Sequence, residues 1–262
     1  MAVRYWVGGT GSQSFQSTGN WSATRNGASG ASYPTGTDTA YILDGTSNID
    51  SGLSNAAFTG ALTISFGGNI GTAGGTPLAT ECQGIFYSGT GAYAFLSGTV
   101  TQLSLWSSNG MVTWNAGTLS TAYIGPNALL TVSGTGTLTT GYNAGGIVSL
   151  NGGNCTLFEN YDGTVQSTVD VATLNIYAGQ ANNQNAATNS TKVTIFSGAT
   201  LQHSSTGTLT FVYAYPNSYV IDAGAPGPFT VTAAELWPNA SLFQNPSVSI
   251  TYTNPTGHRA MP

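Results

Sequence analysis

Carboxylates close enough to share acid–base chemistry are rare in this sequence. The chain has nine Asp and Glu and four Lys and Arg among 262 residues, and charged residues make up 5%. Glu159 and Asp162 are the closest candidate pair, and two carboxylates on one face of a β-helix can hydrolyse glycans. Asp162 precedes Gly163, however, and Asp-Gly is a turn dipeptide, which explains Asp162 without catalysis. We therefore predict no catalytic residues and a protein that is not an enzyme.

Patterns for nucleophiles, metals and phosphate binding are also missing. No G-x-S-x-G elbow stands between a strand and a helix, and residues 8–11 lack the Lys of a phosphate-binding loop. Cys82 and Cys155 are 73 positions apart, which predicts two buried thiols rather than a metal site or a disulfide framework. His203 shares the parity of Leu201 and should point inward, either as a hydrogen-bonded core residue or lining a subunit axis. We predict no metal and no cofactor.

Exposed aromatic rings are candidate sugar-binding groups. Trp106 and Trp114 are eight positions apart, with Tyr123 nearby. Exposed rings of this kind stack on sugars, so Trp106, Trp114 and Tyr123 form a candidate face for a host glycan. Burial in a β core or at a subunit contact accounts for large rings equally well, because aromatic residues dominate both environments.

A second aromatic group lies in the Gly/Ser-rich stretch at the N-terminus. Its members are Tyr5, Trp6, Phe15 and Trp21. Chain ends fray unless they are tied down, so rings of this size need a surface to cover them. We predict that the four rings are anchors on the first coil or on a neighbouring subunit, and we favour a partner protein because such residues are typical interface hot spots.

The charge and hydropathy of the chain exclude two classes of partner. The net charge is −5, and Arg4, Arg25, Lys192 and Arg259 are scattered, so the basic surface needed to bind nucleic acid is missing. The sequence contains no run of 18 apolar residues, so it predicts no membrane-spanning helix. The first residues lack the apolar core of a secretory signal. We therefore expect neither nucleic acid nor membrane as a partner, and synthesis in a cytoplasm.

Short apolar runs separated by Gly, Asn-Gly and Asp-Gly predict an all-β chain. The best helix candidate, residues 231–237, is stopped by Pro238. Residues 127–139 match residues 198–210 at eight of thirteen positions, and Gly98, Gly117 and Gly136 recur at steps of 19. A period near 19 with a Gly at each corner predicts a β-solenoid, or parallel β-helix, with neutral Thr, Ser and Asn ladders on its surface.

An antiparallel β-sandwich or jelly roll is the alternative fold. Asn109-Gly110 lies between two apolar runs and Asp162-Gly163 lies in a similar context, and both dipeptides are typical of hairpins. In either fold we expect three regions. They are an extended aromatic arm at residues 1–45, a repetitive β body at 46–222 and a Pro-rich segment at 223–262 that contains one good strand, 247–252.

Residues 4–44 resemble the N-terminal segment of tailed-bacteriophage virion proteins. The similarity lies in Tyr-Trp-Val-Gly-Gly-Thr-Gly at 5–11, Asn-Trp-Ser at 20–22 and a Pro-x-x-x-Asp turn at 34–38. Similar phrases open the repeats of bacterial autotransporter passengers, but the lack of a signal sequence favours a virion component. The resemblance implies an assembled, repetitive surface protein and carries over no catalytic residues.

Within a virion, two roles fit a chain of this length. The favoured one is a capsid decoration, or cement, protein that binds the major capsid protein and itself as a homotrimer and stabilises the phage head. The alternative is a tail fibre or spike that binds host-surface glycans. In both cases the protein is made in the host cytoplasm and ends in the virion.

Overall fold

The fold is a β-solenoid of about nine turns. A computed structural model describes residues 2–8, 13–45, 47–53, 56–57, 60–72, 75–106, 110–183, 189–204, 206–222, 230–243 and 249–250. Strands make up 61% of the described residues. The described residues contain one 3-10 turn, Thr18–Asn20, and no α-helix. The solenoid predicted from the repeats is confirmed, and the antiparallel sandwich is not the fold.

The chain divides into two compact units, Met1–Leu138 and Thr139–Pro262. Strand β13, Leu129–Leu150, contributes residues to both. The strands before it are β1 Val3–Trp6, β2 Gln13–Ser14, β3 Trp21–Ser22, β4 Thr39–Ile42, β5 Ile49–Ser51, β6 Ala56–Ala57, β7 Ala61–Ile64, β8 Leu78–Glu81, β9 Gly84–Tyr87, β10 Tyr93–Gly98, β11 Val100–Leu105 and β12 Met111–Ile124. The strands after it are β14 Cys155–Ser167, β15 Val171–Ile176, β16 Gln180–Asn183, β17 Ser190–Ile195, β18 Thr200–His203, β19 Thr208–Ala214, β20 Tyr219–Asp222, β21 Thr230–Leu236, β22 Ser241–Phe243 and β23 Ser249–Ile250.

In the first unit, a parallel ladder runs through β4, β7, β9, β11 and the second half of β12. Leu62, Ile85 and Leu103 take successive paired positions and are fully buried. Side chains alternate between the two faces of a strand, so the neighbours of these residues point outward. The core is therefore a set of apolar columns that run from coil to coil.

The 19-residue period corresponds to one coil of this unit. Val100 pairs with Leu119, which lies 19 positions later. Gly98 and Gly117 stack at the same corner with φ of +117° and +83°. A Cβ on Gly117 would lie 2.1 Å from the carbonyl oxygen of Gly98. Glycine recurs here because a side chain would meet the backbone of the coil before it.

The N-terminal segment is part of this solenoid. On one edge of β1, Tyr5 pairs in parallel with Tyr41 of β4. On the other edge, Trp6 pairs with Trp21 of the two-residue strand β3, and this pairing is antiparallel. A very short strand at the end of a sheet gives little template for pairing with another chain. Residues expected to form an extended arm therefore build the first turn and cover its outer edge.

A turn that ends at Asp38 holds the start of β1 in place. Asp38 accepts a hydrogen bond from the N–H of Ala2 over 2.8 Å and another from the N–H of Thr35 over 3.2 Å. The Nε of Arg4 lies 3.9 Å from the same carboxylate. Burial raises the pKa of Asp38, but the two N–H donors and the charge of Arg4 outweigh this effect, and the pKa lies below its ordinary value. The carboxylate is a structural clamp on the first turn.

In the second unit, two parallel ladders alternate along the chain. One contains β15, β17, β19, β21 and β23, and the other contains β16, β18, β20 and β22. Five corners of this unit share one pattern, an aromatic residue followed two positions later by Gly or Asn with positive φ. The Gly or Asn residues are Gly163, Gly179, Gly198, Asn217 and Asn239.

Several local predictions are wrong. Residues 230–236, which include most of the helix candidate, form strand β21. Strands β11 and β12, on either side of Gly110, are parallel, so they are not a hairpin; Asn109 lies outside the described residues. Asp162 and Gly163 lie within β14 at a coil corner. Backbone pairing also crosses both predicted boundaries, because β4 pairs with β7 and β19 pairs with β21.

Candidate binding surfaces

The aromatic residues expected to anchor a partner mostly pack on one another. Phe15 and Trp21 are fully buried, and Trp6 is 5% exposed. The ring of Trp21 meets Trp6 edge-on at 5.2 Å and Phe15 at 5.1 Å between centroids. These three rings therefore fill the interior of the first turn and are not free to anchor a partner. Tyr5 differs, because its partly exposed ring stacks on Tyr41 at 5.3 Å.

The predicted glycan-binding set divides into buried and exposed residues. Trp114 is fully buried, and its Nε1 donates a hydrogen bond to the carbonyl oxygen of Gly117 over 3.4 Å. It is a core residue and cannot stack on a sugar. Trp106 is 56% exposed and Tyr123 is 40% exposed. The sequence alone could not show which of these three residues is buried. At each corner of a coil the alternation is interrupted, so odd and even positions exchange their inward and outward directions.

Tyr123 belongs to an outward column of the first unit that the sequence did not reveal. The paired positions from β4 onward are occupied by Tyr41, Thr63, Phe86, Ser104 and Tyr123. Phe86 is 44% exposed. We call these five residues the outward column. It exposes the rings of Phe86 and Tyr123 to solvent, whereas Ser104 between them is only 4% exposed.

Each carboxylate of the candidate acid–base pair has a hydrogen-bond donor close by in the chain. The hydroxyl of Tyr161 donates a hydrogen bond to Glu159, which raises the pKa of Tyr161 to about 12. Asp162 is exposed and accepts a hydrogen bond from the N–H of Gly163 over 2.7 Å. Glu159 thus accepts a hydrogen bond from a neighbouring tyrosine, and Asp162 accepts one from the backbone of a coil corner. Among the described residues, no group of three or more His, Cys, Asp and Glu is placed to hold a metal ion.

The histidine and the two cysteines singled out in the sequence occupy buried positions. His203 is fully buried, as its parity predicted, and its Nδ1 lies 3.3 Å from the Nδ2 of Asn183 on the neighbouring coil. Both cysteines are free and buried, as expected. Burial raises the pKa of Cys82 to about 11 and that of Cys155 to about 12, so neither thiol is a ready nucleophile.

Two fully buried asparagines form an amide ladder at the corners of the second unit. The Nδ2 of Asn143 donates to the Oδ1 of Asn160 over 2.7 Å, and the N–H of Gly146 donates to the Oδ1 of Asn143 over 2.9 Å. The Nδ2 of Asn160 in turn donates to the carbonyl oxygen of Ala178 over 2.9 Å. Buried amides need such partners, and here the partners include backbone groups at the corners.

One stack of five aromatic rings runs along the second unit. Adjacent rings are nearly parallel, within 12°, and their centroids lie 4.4 to 4.9 Å apart. The members of this aromatic stack are Tyr161, Tyr177, Phe196, Tyr215 and Trp237. The distance matches the spacing of neighbouring strands. The inner rings offer their edges to solvent and not their faces, so the stack stabilises the corners and is a poor platform for sugars.

Comparisons with known proteins found no match among protein families, curated proteins or solved structures. Among the described residues, no helix is long and apolar enough to span a membrane. The geometry therefore stands alone as evidence for function. It consists of a charge-poor solenoid, a closed first turn and exposed aromatic residues on the outer face of the first unit.

Proposed function

We propose that this protein is a non-enzymatic structural protein of a tailed-phage virion, a decoration protein that binds the major capsid protein and other copies of itself on the head. One observation carries the proposal. The outward column leaves Phe86 and Tyr123 at least 40% exposed in a chain with 5% charged residues. Exposed apolar surface of this kind is typical of protein–protein contacts. The resemblance of residues 4–44 to virion proteins supplies the setting.

The contact with the partner is assigned to the outward column and not to the N-terminal rings. Trp6, Phe15 and Trp21 have little surface left to offer. Deleting the first thirty residues would remove core residues of the first coil, so loss of binding after that deletion would report misfolding. Substitutions at Phe86 and Tyr123 remove exposed ring surface and leave the fully buried core residues in place, so they test the contact more directly.

The test is binding of purified protein to heads that lack it. Phe86→Ser and Tyr123→Ser, made together, should weaken the association by about tenfold or more, since each buried aromatic contact contributes on the order of 1 kcal/mol or more. Phe211→Ser is the matched control, because Phe211 is 46% exposed in the second unit. Unchanged binding by the double variant would refute the assigned contact. Mapping the protein to a few copies at the tail would refute the decoration role.

A tail fibre or spike that binds host glycans is the second candidate. The exposure of Trp106, 56%, favours it, because an exposed indole next to neutral groups can stack on a sugar ring. Trp106→Ala should then abolish binding to host-surface polysaccharide, whereas Met111→Ala, at another exposed apolar residue, should not. Equal binding by Trp106→Ala and the parent protein would remove this candidate.

A further inference from the structure

A polar groove lies on the second unit, across the first residues of β14, β15, β17 and β19. Its volume is about 500 Å³, within the usual range for ligand sites. One row of lining residues, Asn154, Asp170, Asn189 and Thr208, comes directly before the first inward-facing residue of each strand. The groove therefore offers one polar side chain from each of four successive coils.

Hydrogen bonds hold this row in position. The Oδ1 of Asp170 accepts the N–H of Asn189 over 2.8 Å, and the Oδ1 of Asn189 accepts the N–H of Thr208 over 2.8 Å. The side chains of Asp170 and Asn189 are each tied to the next coil, so their orientation is set before any ligand arrives. Preorganised polar groups lose little freedom on binding, which favours recognition.

A second row comes directly after the inward-facing residues and consists of Thr156, Ala172, Thr191 and Thr210. Threonine offers a hydroxyl that both donates and accepts, and its methyl group, like that of Ala172, can contact C–H surface. The two rows together present the mixture of amide, hydroxyl and small apolar groups that suits a polyhydroxylated ligand.

One inward-facing polar residue, Ser190, lies between the two rows. Ser190 is 2% exposed and lines the groove between the two rows. Its ladder partner in β19 is Leu209, so a hydroxyl stands where packing alone would favour a hydrocarbon side chain. Among the described residues, the hydroxyl of Ser190 has no hydrogen-bond partner. The hydroxyl points toward the core, as strand alternation requires, so a ligand in the groove meets the two outward rows and not Ser190.

The charge of the lining determines which ligands fit. Asp170 is the one charged residue among the groove's lining residues, and Lys, Arg and His are missing from them. An anionic ligand would meet a carboxylate without a compensating cation. A purely apolar ligand would bury amides and hydroxyls without partners, which costs free energy. A neutral ligand with many hydroxyl groups satisfies the lining.

The spacing of the rows indicates an extended ligand. Successive coils place equivalent side chains about 4.8 Å apart, so the groove repeats its polar pattern along the solenoid. The sugar units of an extended oligosaccharide repeat at a comparable distance. We propose that this groove binds a neutral oligosaccharide chain that lies along the solenoid axis. The proposal does not depend on the decoration role, because the groove and the outward column belong to different units.

The experiment is titration calorimetry of the full-length protein with cellohexaose, maltohexaose, xylohexaose and mannohexaose, with oligogalacturonate and chitosan oligomers as charged probes. We expect at least one neutral oligomer to bind. Thr191→Trp, which fills the groove, should weaken that binding by about tenfold or more. Asp170→Asn keeps an acceptor for Asn189 but loses the carboxylate, and should weaken it by about tenfold.

Thr118→Trp is the matched control, because Thr118 is an exposed strand threonine of the first unit. It should leave the affinity unchanged. Circular dichroism establishes that each variant is folded, and Asp170→Asn remains as a test if Thr191→Trp does not fold. The proposal is overturned if no neutral oligomer binds at about 10 mM, if only charged oligomers bind, or if Thr118→Trp weakens binding as much as the groove variants.

Discussion

The Nε1 of Trp21 donates a hydrogen bond to the carbonyl oxygen of Phe15 over 2.6 Å, and both side chains are fully buried. This contact joins strand β3, which contains Trp21, to Phe15, which directly follows strand β2. Trp21→Ala removes the hydrogen bond and opens a cavity against Trp6 and Phe15, so it should lower the free energy of unfolding by about 3–5 kcal/mol. Denaturant unfolding followed by tryptophan fluorescence measures the loss.

The control for this prediction is Trp106→Ala. Trp106 is the same residue type but is 56% exposed, and surface substitutions usually change stability by less than about 0.5 kcal/mol. If Trp21→Ala lowered the free energy of unfolding no more than Trp106→Ala does, the aromatic cluster of the first turn would not be part of the core.

Two glycines with the same φ separate backbone strain from steric contact. Gly117 and Gly198 both have φ of +83°. A Cβ on Gly117 would lie 2.1 Å from a backbone oxygen of the preceding coil, whereas a Cβ on Gly198 meets nothing within 4 Å. Gly198→Ala should cost about 1–2 kcal/mol, the usual penalty for a left-handed conformation.

Gly117→Ala should cost clearly more than Gly198→Ala, or prevent soluble expression, because two backbones would have to separate. Thermal unfolding of the two variants, compared with the parent protein, is the measurement. Equal penalties would mean that the coils can move apart at this corner without loss.

Substitutions at neighbouring rings of the aromatic stack should have non-additive effects on the free energy of unfolding, whereas substitutions at distant rings should have additive effects. A double-mutant cycle on Phe196 and Tyr215, whose centroids are 4.9 Å apart, should give a coupling energy of about 1 kcal/mol. The same cycle on Tyr161 and Tyr215, which two rings separate, should give a value near zero. Strong coupling in the second cycle would indicate that the corners unfold as one unit, which would change the interpretation of every single substitution there.

Alkaline pH should destabilise the fold through the two thiols. The folded-state pKa values of Cys82 and Cys155, about 11 and about 12, lie above the ordinary value of 9.0. Between pH 9.0 and the folded-state pKa values, the two thiols hold more protons in the folded chain than in the unfolded chain. The free energy of unfolding therefore falls as pH rises through this range. The stabilisation is complete below about pH 9 and is lost as pH rises through the folded values.

Denaturant unfolding at several values between about pH 8 and pH 11 measures this slope. The double variant Cys82→Ser and Cys155→Ser lacks the ionisable thiols and should show a shallower slope. The two proteins share every other ionisable group, so the difference between the two slopes isolates the thiols. Identical slopes would refute the assignment.

Much of the fold could be predicted because one coil leaves a regular mark on the chain. The step between Gly98 and Gly117 reflects a steric contact between coils, and the inward parity of His203 follows from strand alternation. Hairpin signals misled because Asn-Gly and Asp-Gly report only that the backbone turns. Asp162-Gly163 turns a corner within one strand, and a dipeptide does not encode whether the next strand returns antiparallel.

The candidate surfaces were less predictable, because they depend on pairing between distant residues. Phe86 and Tyr123 share a column through Ser104, and no local pattern joins them. The aromatic stack left a usable signal that was missed, an aromatic residue two positions before Gly or Asn, as at Phe196 and Gly198. The separation of its members varies, so a search at a fixed period does not find them.

That variation has a consequence for how the protein can change over generations. Tyr161 and Tyr177 are 16 positions apart, Tyr215 and Trp237 are 22 apart, and each pair stacks at 4.6 Å. Ring contact is thus insensitive to how much chain each coil contains. Insertions and deletions between corners can therefore accumulate without disturbing the contacts between the rings. Over evolution, the surface loops of this protein can change while the stacking of its coils stays the same.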